Sequence, residues 1–292
     1  MPAALVERAP AKINLTLHVL ARRADSYHQI ESLVAFAGVA DGLTFTPDCS
    51  LSLVVRGPGA KACGDLSENL VLKAARGLSE RIEGLRLGRF VLSKRLPVAA
   101  GLGGGSSDAA AALRLLADAN GLARNERPVW EAAKATGADV PVCLDPKPRV
   151  MRGTGEVLSE EIHLPPLAAV LIHPGFALAT KDVFATFDEA PPPRGGSEHM
   201  QRWVDVANQS AALLCALARE RNDLEAPAML LRPDIAGVLD ALRDQPGCEL
   251  ARMSGSGATC FGLFASRAAA QKAARSLRSA HPAWWVRATS IG

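Results

Sequence analysis

The 292-residue chain is long enough for two domains or for one domain with a large core. Its composition, 48% hydrophobic and 22% charged with a net charge of +3, is too mild to argue for nucleic acid as a main partner, while a phosphate-bearing small ligand remains compatible. Six cysteines (Cys49, Cys63, Cys143, Cys215, Cys248 and Cys260) lie far apart with no C-x-x-C pair and no zinc spacing, which predicts reduced, mostly buried thiols and a cytoplasmic location. The opening MPAALVERAPAKIN carries charges too early for a secretory signal, and no apolar run approaches the roughly 20 residues of a membrane helix.

In chain order, KINLTLHVLA (12–21) alternates apolar and polar residues and predicts a strand. IESLVAFAGV and DGLTFTPD give two further strand signals, and LSLVVRG (51–57) a fourth that ends in a glycine turn. Residues 68–83 place Leu70, Leu72, Ala75, Leu78 and Ile82 at helical spacing, with Ser67 as the cap. LRLGRFVLSKRL is a strand that runs straight into glycines, and helices are predicted at 106–119 and near 128–136, the second closed by Gly137. ADVPVCLDPKPRVMRGTGEVL reads as short strands and turns. Past Pro165-Pro166 the texture restarts: strand LAAVLIHPG, helix 180–188, a surface loop at 190–199, and helices near 200–220 and 233–244. CELARMSGSGATCFGLFAS then reads as strand, glycine turn, strand, followed by a helix at 267–280 and the strand AWWVRAT. Two α+β halves meet near residue 160.

The stretch LPVAAGLGGGSSDAAAALRLLADANG (96–121) sets three glycines directly against strong helix formers. It lacks the lysine of a P-loop, and Ser106 stands where a dinucleotide fingerprint needs its last glycine. The underlying physics survives both failures. Backbone N–H groups free of Cβ approach an anion closely, and a helix N-terminus adds partial positive charge at the same point. Ser106, Ser107 and Asp108 can cap that helix, and the serines can bond a phosphate or a magnesium-bound water. The competing reading is a solvent loop with a serine cap. The later SGSGA (254–258) reads as a hairpin turn unless it packs against the first loop.

Lys12 and Asn14, two apart on a strand, share a face; either that face meets solvent, or both residues are buried with partners. Asp139 in TGADVPV is either a cap or a reactive carboxylate. Tyr27-His28, on a loop, suits a flat ring ligand or is simply an exposed aromatic pair.

Taken together, PAKINLTLHV…YH, LPVAAGLGGGSSDAA, GADVPV and MSGSGA resemble the GHMP small-molecule kinases in this order, from Ala9 to about Phe264. The resemblance implies an α+β, two-domain GHMP kinase fold: a ribosomal protein S5 domain 2-like, ATP-binding N-terminal domain over 1–160 and a ferredoxin-like C-terminal domain over 161–292. It implies ATP and Mg2+ as cofactors, a small-molecule partner (most closely methylerythritol linked to cytidine diphosphate) and neither nucleic acid nor membrane. By position, Pro97, Val98, Ala99, Ala100, Gly101, Leu102, Gly103, Gly104, Gly105, Ser106 and Ser107 would hold ATP phosphates. Asp139 would accept the proton of the attacking hydroxyl, with Lys12 beside it. Asn14 would bind the methylerythritol end. Tyr27 and Phe184 would sandwich the cytosine, His28 would read its edge, Thr180 would help place the ligand, and 255–258 would close over the site. The chain departs from the family pattern at Ser26, Val34, Ala99 and Ala100, the last two stiffening the loop. The rivals are a kinase of homoserine or mevalonate, a catalytically dead nucleotide-binding regulator on the same scaffold, and an NAD-binding oxidoreductase.

Overall fold

The computed structural model describes residues 4–25, 27–48, 50–189, 203 and 210–292, and the surface loop read at 190–199 lies outside them. Strands β1 (Leu5–Asn14) and β2 (His18–Arg22) both pair with β3 (His28–Pro47). The two strand signals at 30–48 fuse into this single strand of 20 residues, because Gly38 and Gly42 continue the extended path. The chain divides into two compact units, each assembled from separated stretches.

One unit comprises Met1–Lys12, Val39–Val98 and Gly103–Pro146. Here β4 (Ser52–Arg56) runs parallel to β5 (Gly88–Ser93), which pairs antiparallel with residues 42–47 of β3. Alternation sends Leu43, Phe45, Phe90 and Leu92 inward, and the rings of Phe45 and Phe90 pack 4.7 Å apart. Each such phenylalanine contributes about 2 kcal/mol by leaving water. Helix α1 (Leu70–Ser79) buries the stripe Val71, Leu72, Ala74, Ala75 and Leu78. Its cap is Asn69, whose side chain accepts from the Val71 N–H, and not Ser67 as the sequence suggested. The reason is local: residues 66–68 form a separate 3₁₀ turn capped by Asp65, so the α-helix starts later.

Helix α2 (Gly104–Ala119) is buried almost all round, and α1, α3 (Arg127–Thr136) and the short α4 (Val140–Leu144) pack on it. Gly137 closes α3 as expected. Helix α4 replaces the strands and turns read there, because Pro141 stands in its first turn, where its missing N–H costs nothing.

The other unit comprises Ile13–Gly38, Ala99–Leu102 and Lys147–Gly292. The first part of β3 forms a hairpin with β2 and pairs with β6 (Arg149–Gly153), which in turn pairs with β7 (Val157–Leu158). Next come β8 (Leu167–His173), α5 (Thr180–Asp188), α6 (Ser210–Ala218), α7 (Glu225–Leu231), α8 (Asp234–Arg243), β9 (Cys248–Met253), β10 (Cys260–Phe264), α9 (Arg267–Ala280) and β11 (Trp285–Ile291). Strands β9-β10-β8-β11 make an antiparallel sheet in that order, with α8 on β9 and β10 and α9 on β8 and β11. This is the ferredoxin-like β-α-β-β-α-β arrangement. Ser266 caps α9 by accepting from the Ala269 N–H, and Ala270, Ala273, Ala274 and Leu277 form its buried stripe.

All five cysteines among the described residues are free thiols, but only Cys143 and Cys260 are buried; Cys49 lies outside the described residues. Among the described residues, no helix is long and apolar enough to cross a membrane.

Candidate active site

In the first unit the site grows from β1, α2 and α4. Lys12 is 3% exposed, which overturns the solvent-face reading of β1, and a lysine this deep needs a partner. Its Nζ meets Oδ1 of Asp139 at 2.5 Å. Asp139 occupies the N-cap position of α4, yet its side chain makes no cap bond there. The carboxylate is spent on Lys12 and remains 35% exposed, so it stays open to a ligand. The backbone of Asp139 therefore begins a helix while its side chain pairs with Lys12.

The glycine loop leads to this pair. Gly103 has φ +58°, a left-handed conformation that suits glycine, and a Cβ there would sit 3.1 Å from Cβ of Lys12. The loop exit therefore lies directly on the lysine stem. Helix α2 begins inside the glycines, two residues earlier than read, with Gly103 as an N-cap that lends no side chain. Ser106, Ser107 and Asp108 accordingly fall within the first turns and do not cap it. The buried Ser107 hydroxyl donates to the Pro10 carbonyl at 2.7 Å, tying α2 to β1. Arg114, further along α2, donates to the carbonyls of Cys143 and Arg8 at 2.7 and 2.8 Å. Helix α2 thus braces α4, which begins at Asp139, against β1, which carries Lys12.

Both ends of the loop share a second, buried cluster absent from the sequence reading. Nζ of Lys94, just before the loop, lies 2.6 Å from Oδ2 of Asp41 and 2.6 Å from Oδ2 of Asp108. Asp41 also accepts from the N–H groups of Arg95 and Leu96. Burial, reinforced by the like charge of Asp41, pushes Asp108 up to about 7 against the pull of Lys94. Burial alone would lower Lys94, but Asp108 and Asp41 outweigh it and hold the ammonium above its ordinary value. A single lysine at the end of an apolar strand, in VLSKRLP, was the available signal.

In the second unit Asn14 is 2% exposed. Its amide donates to Ser32 Oγ at 2.7 Å and its backbone N–H to Ser254 Oγ at 3.1 Å. Tyr27 lies in the β2–β3 hairpin turn and is 63% exposed. The His28 ring stacks on Phe184 of α5 with centroids 4.5 Å apart, and its Nε2 lies 2.7 Å from Oδ1 of Asp188. The structure thus brings His28, Phe184 and Asp188 together and leaves Tyr27 standing outward; Asp188 is the member the sequence did not disclose. Val34 is fully buried in β3, and Ser26 lies outside the described residues. Thr180, at the start of α5, has its hydroxyl 2.8 Å from that of Ser256.

The turn at 254–258 joins antiparallel β9 and β10 and does pack on the first loop. Ser254 Oγ donates to the Gly101 carbonyl at 3.1 Å, and the Thr259 N–H to that of Ala100 at 3.1 Å. A Cβ at Gly101 would lie 2.4 Å from the Ser254 carbonyl oxygen. Ala99, beside it, takes φ +51°, where an L side chain is strained, so the stiffening expected of this alanine has a structural form.

Residues 69–145 match the GHMP kinases N terminal domain and residues 204–283 the GHMP kinases C terminal region. The chain belongs to the GHMP kinase family. A 4-diphosphocytidyl-2-C-methyl-D-erythritol kinase of Methylobacterium radiotolerans is 58% identical over 98% of this chain and 99% of its own length. The protein of the same name in Rhodopseudomonas palustris strain BisB5 is 54% identical over 99% of each. Among solved structures, a 4-(cytidine 5'-diphospho)-2C-methyl-D-erythritol kinase matches with TM-score 0.80 and 33% identity over 99% of each chain. A homoserine kinase from Cytophaga hutchinsonii has the same fold (TM-score 0.75, 18% identity, 100% of this chain and 96% of that one). Membership in a kinase family implies ATP as the phosphoryl donor and a small molecule as acceptor.

Proposed function

We propose that this GHMP kinase transfers the terminal phosphoryl group of ATP to the 2-hydroxyl of 4-diphosphocytidyl-2-C-methyl-D-erythritol. The observation that carries the reading is the joining of Gly103 to Lys12, and of Lys12 to Asp139, within one unit. The names of relatives at 58% and 54% identity support the choice of acceptor.

Phosphoryl transfer asks a protein for alignment and charge neutralisation, because its transition state is loose. The N–H groups from Val98 to Ser106 line the phosphates at the positive end of α2, and Ser107, whose N–H is taken by the Gly103 carbonyl, closes the loop. Asp139 accepts the proton of the attacking hydroxyl, and Lys12 fixes that carboxylate and balances its charge. Asn14 and Thr180 place the erythritol part. His28, held by Asp188 and by the face of Phe184, reads the edge of the cytosine, and Tyr27 closes over the ring from the hairpin.

The cofactor expected beside ATP is a magnesium ion carried on the nucleotide with bound waters. Ser106, half-buried in the first turn of α2, would hold such an ion through one of those waters. Magnesium, when bound, supplies neutralising charge to the triphosphate. The family matches on either side of residue 160 support an ATP-binding region over 1–160 and a C-terminal region over 161–292. The mild net charge of +3 speaks against a nucleic-acid partner, and the free, scattered cysteines support a cytoplasmic location.

The test is ADP release from the purified chain with the cytidine diphosphate methylerythritol substrate, with mevalonate and homoserine as control acceptors. Turnover with the first alone is expected. Equal turnover with a control would reassign the acceptor.

A further inference from the structure

The turn at 254–258 sits at a junction of three segments assigned to the site. Ser254 Oγ accepts the Asn14 N–H and donates to the Gly101 carbonyl, while Ser256 meets Thr180. Inside the turn, the Ser254 N–H donates to Thr259 O and the Gly257 N–H to Ser254 O. Those bonds shape the turn, and others anchor it. The anchor is the segment RNDLE, residues 221–225.

Asn222 is 6% exposed, and both polar atoms of its side chain are bonded. Its amide nitrogen donates to the carbonyls of Met253 at 2.9 Å and Gly255 at 2.7 Å, one on either side of Ser254. Its Oδ1 accepts from the Leu224 N–H at 3.0 Å, which fixes the amide's orientation. Glu225 completes the grip by accepting from the Met253 N–H at 2.8 Å. The segment is itself tied down: Leu17 N–H donates to the Arg221 carbonyl, and Asp223 N–H to that of Leu17. Strand-side backbone, RNDLE, the turn and Gly101 thus form one chain of contacts inside a single unit.

We infer that Asn222 is a positioning residue for phosphoryl transfer, acting through the Ser254–Ala258 turn on the Ala100–Gly101 part of the phosphate-binding loop. The inference rests on the nucleotide reading of that loop. Two carbonyls converging on one amide make the choice of side chain specific. An aspartate of the same shape sets an acceptor against two acceptors, and the turn must then move. Because Gly101 nests against the carbonyls of Ser254 and Gly257 with no room for a Cβ, movement of the turn moves the loop.

The experiment measures binding of a non-hydrolysable ATP analogue to the full chain, KM for ATP and hydrogen exchange over 253–259, in Asn222→Asp, Ser254→Ala, Asp223→Asn and Gly101→Ala. Asn222→Asp is expected to weaken analogue binding roughly tenfold or more, to raise the KM for ATP in parallel and to speed exchange in the turn. Asp223→Asn perturbs the same segment, but its carboxylate serves Val19 and Arg221 instead of the turn, so binding should stay within about twofold at a comparable loss of Tm. If Asn222→Asp does not fold, Ser254→Ala tests the same route and should weaken binding severalfold. Wild-type binding in Asn222→Asp, or in Ser254→Ala where that variant stands in, overturns the inference. So does an equal loss in Asp223→Asn at matched Tm. Unchanged binding in Gly101→Ala instead brings down the nucleotide reading, whereas weakened binding there with normal binding in Asn222→Asp removes only the role of Asn222.

Discussion

Two lysine–aspartate groupings stand side by side in the first unit and differ in almost every physical respect. Lys12 meets one carboxylate, and that carboxylate keeps a third of its side-chain surface open. Lys94 meets two, both buried, with the remaining oxygen of Asp41 already taken by backbone N–H groups. The first arrangement has a free face for a ligand and the second has none. Ion pairing alone therefore does not mark an active site; spare, accessible bonding capacity does. The buried group ties the two ends of the glycine loop together and so acts as scaffold.

Substitutions separate these roles. The largest effect belongs to Lys94→Met, which leaves the buried Asp41 carboxylate and the Asp108 carboxyl without their cation and should cost about 3–5 kcal/mol of folding stability by denaturant titration. A loss below about 1 kcal/mol would place Lys94 on the functional side of the comparison. Next, Asp139→Asn should lower turnover by about two orders of magnitude or more while nucleotide binding holds, with some loss of Tm because the buried Lys12 keeps only an amide oxygen as acceptor. Normal turnover would remove Asp139 from the reaction.

A subtler contrast lies in pH. Asp108 holds its proton to about 7 in the folded state, and the unfolded chain releases it near the ordinary value of 3.8. Its contribution to stability is complete below the lower value and is lost as pH rises through the upper. Denaturation at several pH values between 4 and 8 should show that decline in the wild type and a flatter curve in Asp108→Asn. Matching slopes would reject the assignment.

Smaller still, Tyr27→Ala should raise KM for the cytidine substrate severalfold and leave that for ATP unchanged, as expected of an exposed ring outside the core. Equal changes for both would make Tyr27 a fold residue. Last, Ala99→Gly relieves a left-handed alanine but adds chain entropy, so thermal unfolding should shift by no more than about 1 kcal/mol.

Regular periodicity made much of the fold legible. The helices at 180–188 and 267–280 were readable to their ends because a clear apolar stripe meets a clear boundary. The start of α2 was not, since glycine ordinarily signals the outside of a helix; here the left-handed Gly103 lets the next two glycines enter it. Helix α4 escaped because five residues, two of them valines, carry no period. At the site, motif order implied Lys12 beside Asp139, and the structure pairs the two at 2.5 Å. Asp41 lies 53 residues from Lys94 and Asp108 lies 14 beyond it, and no local pattern links such distant charges. Asp188 was hidden for the same reason, its partner His28 standing 160 residues away.

The interleaving of the two units bears on how the protein is born. On the ribosome, residues 13–38 emerge early, yet Ala37 pairs with Ile291, and the sheet built on β8 needs β9 to β11. This early hairpin must wait through most of translation before its neighbours exist. Sequence-distant closure of that kind slows folding and leaves apolar strand edges bare meanwhile, so this is the segment for which a chaperone would matter most.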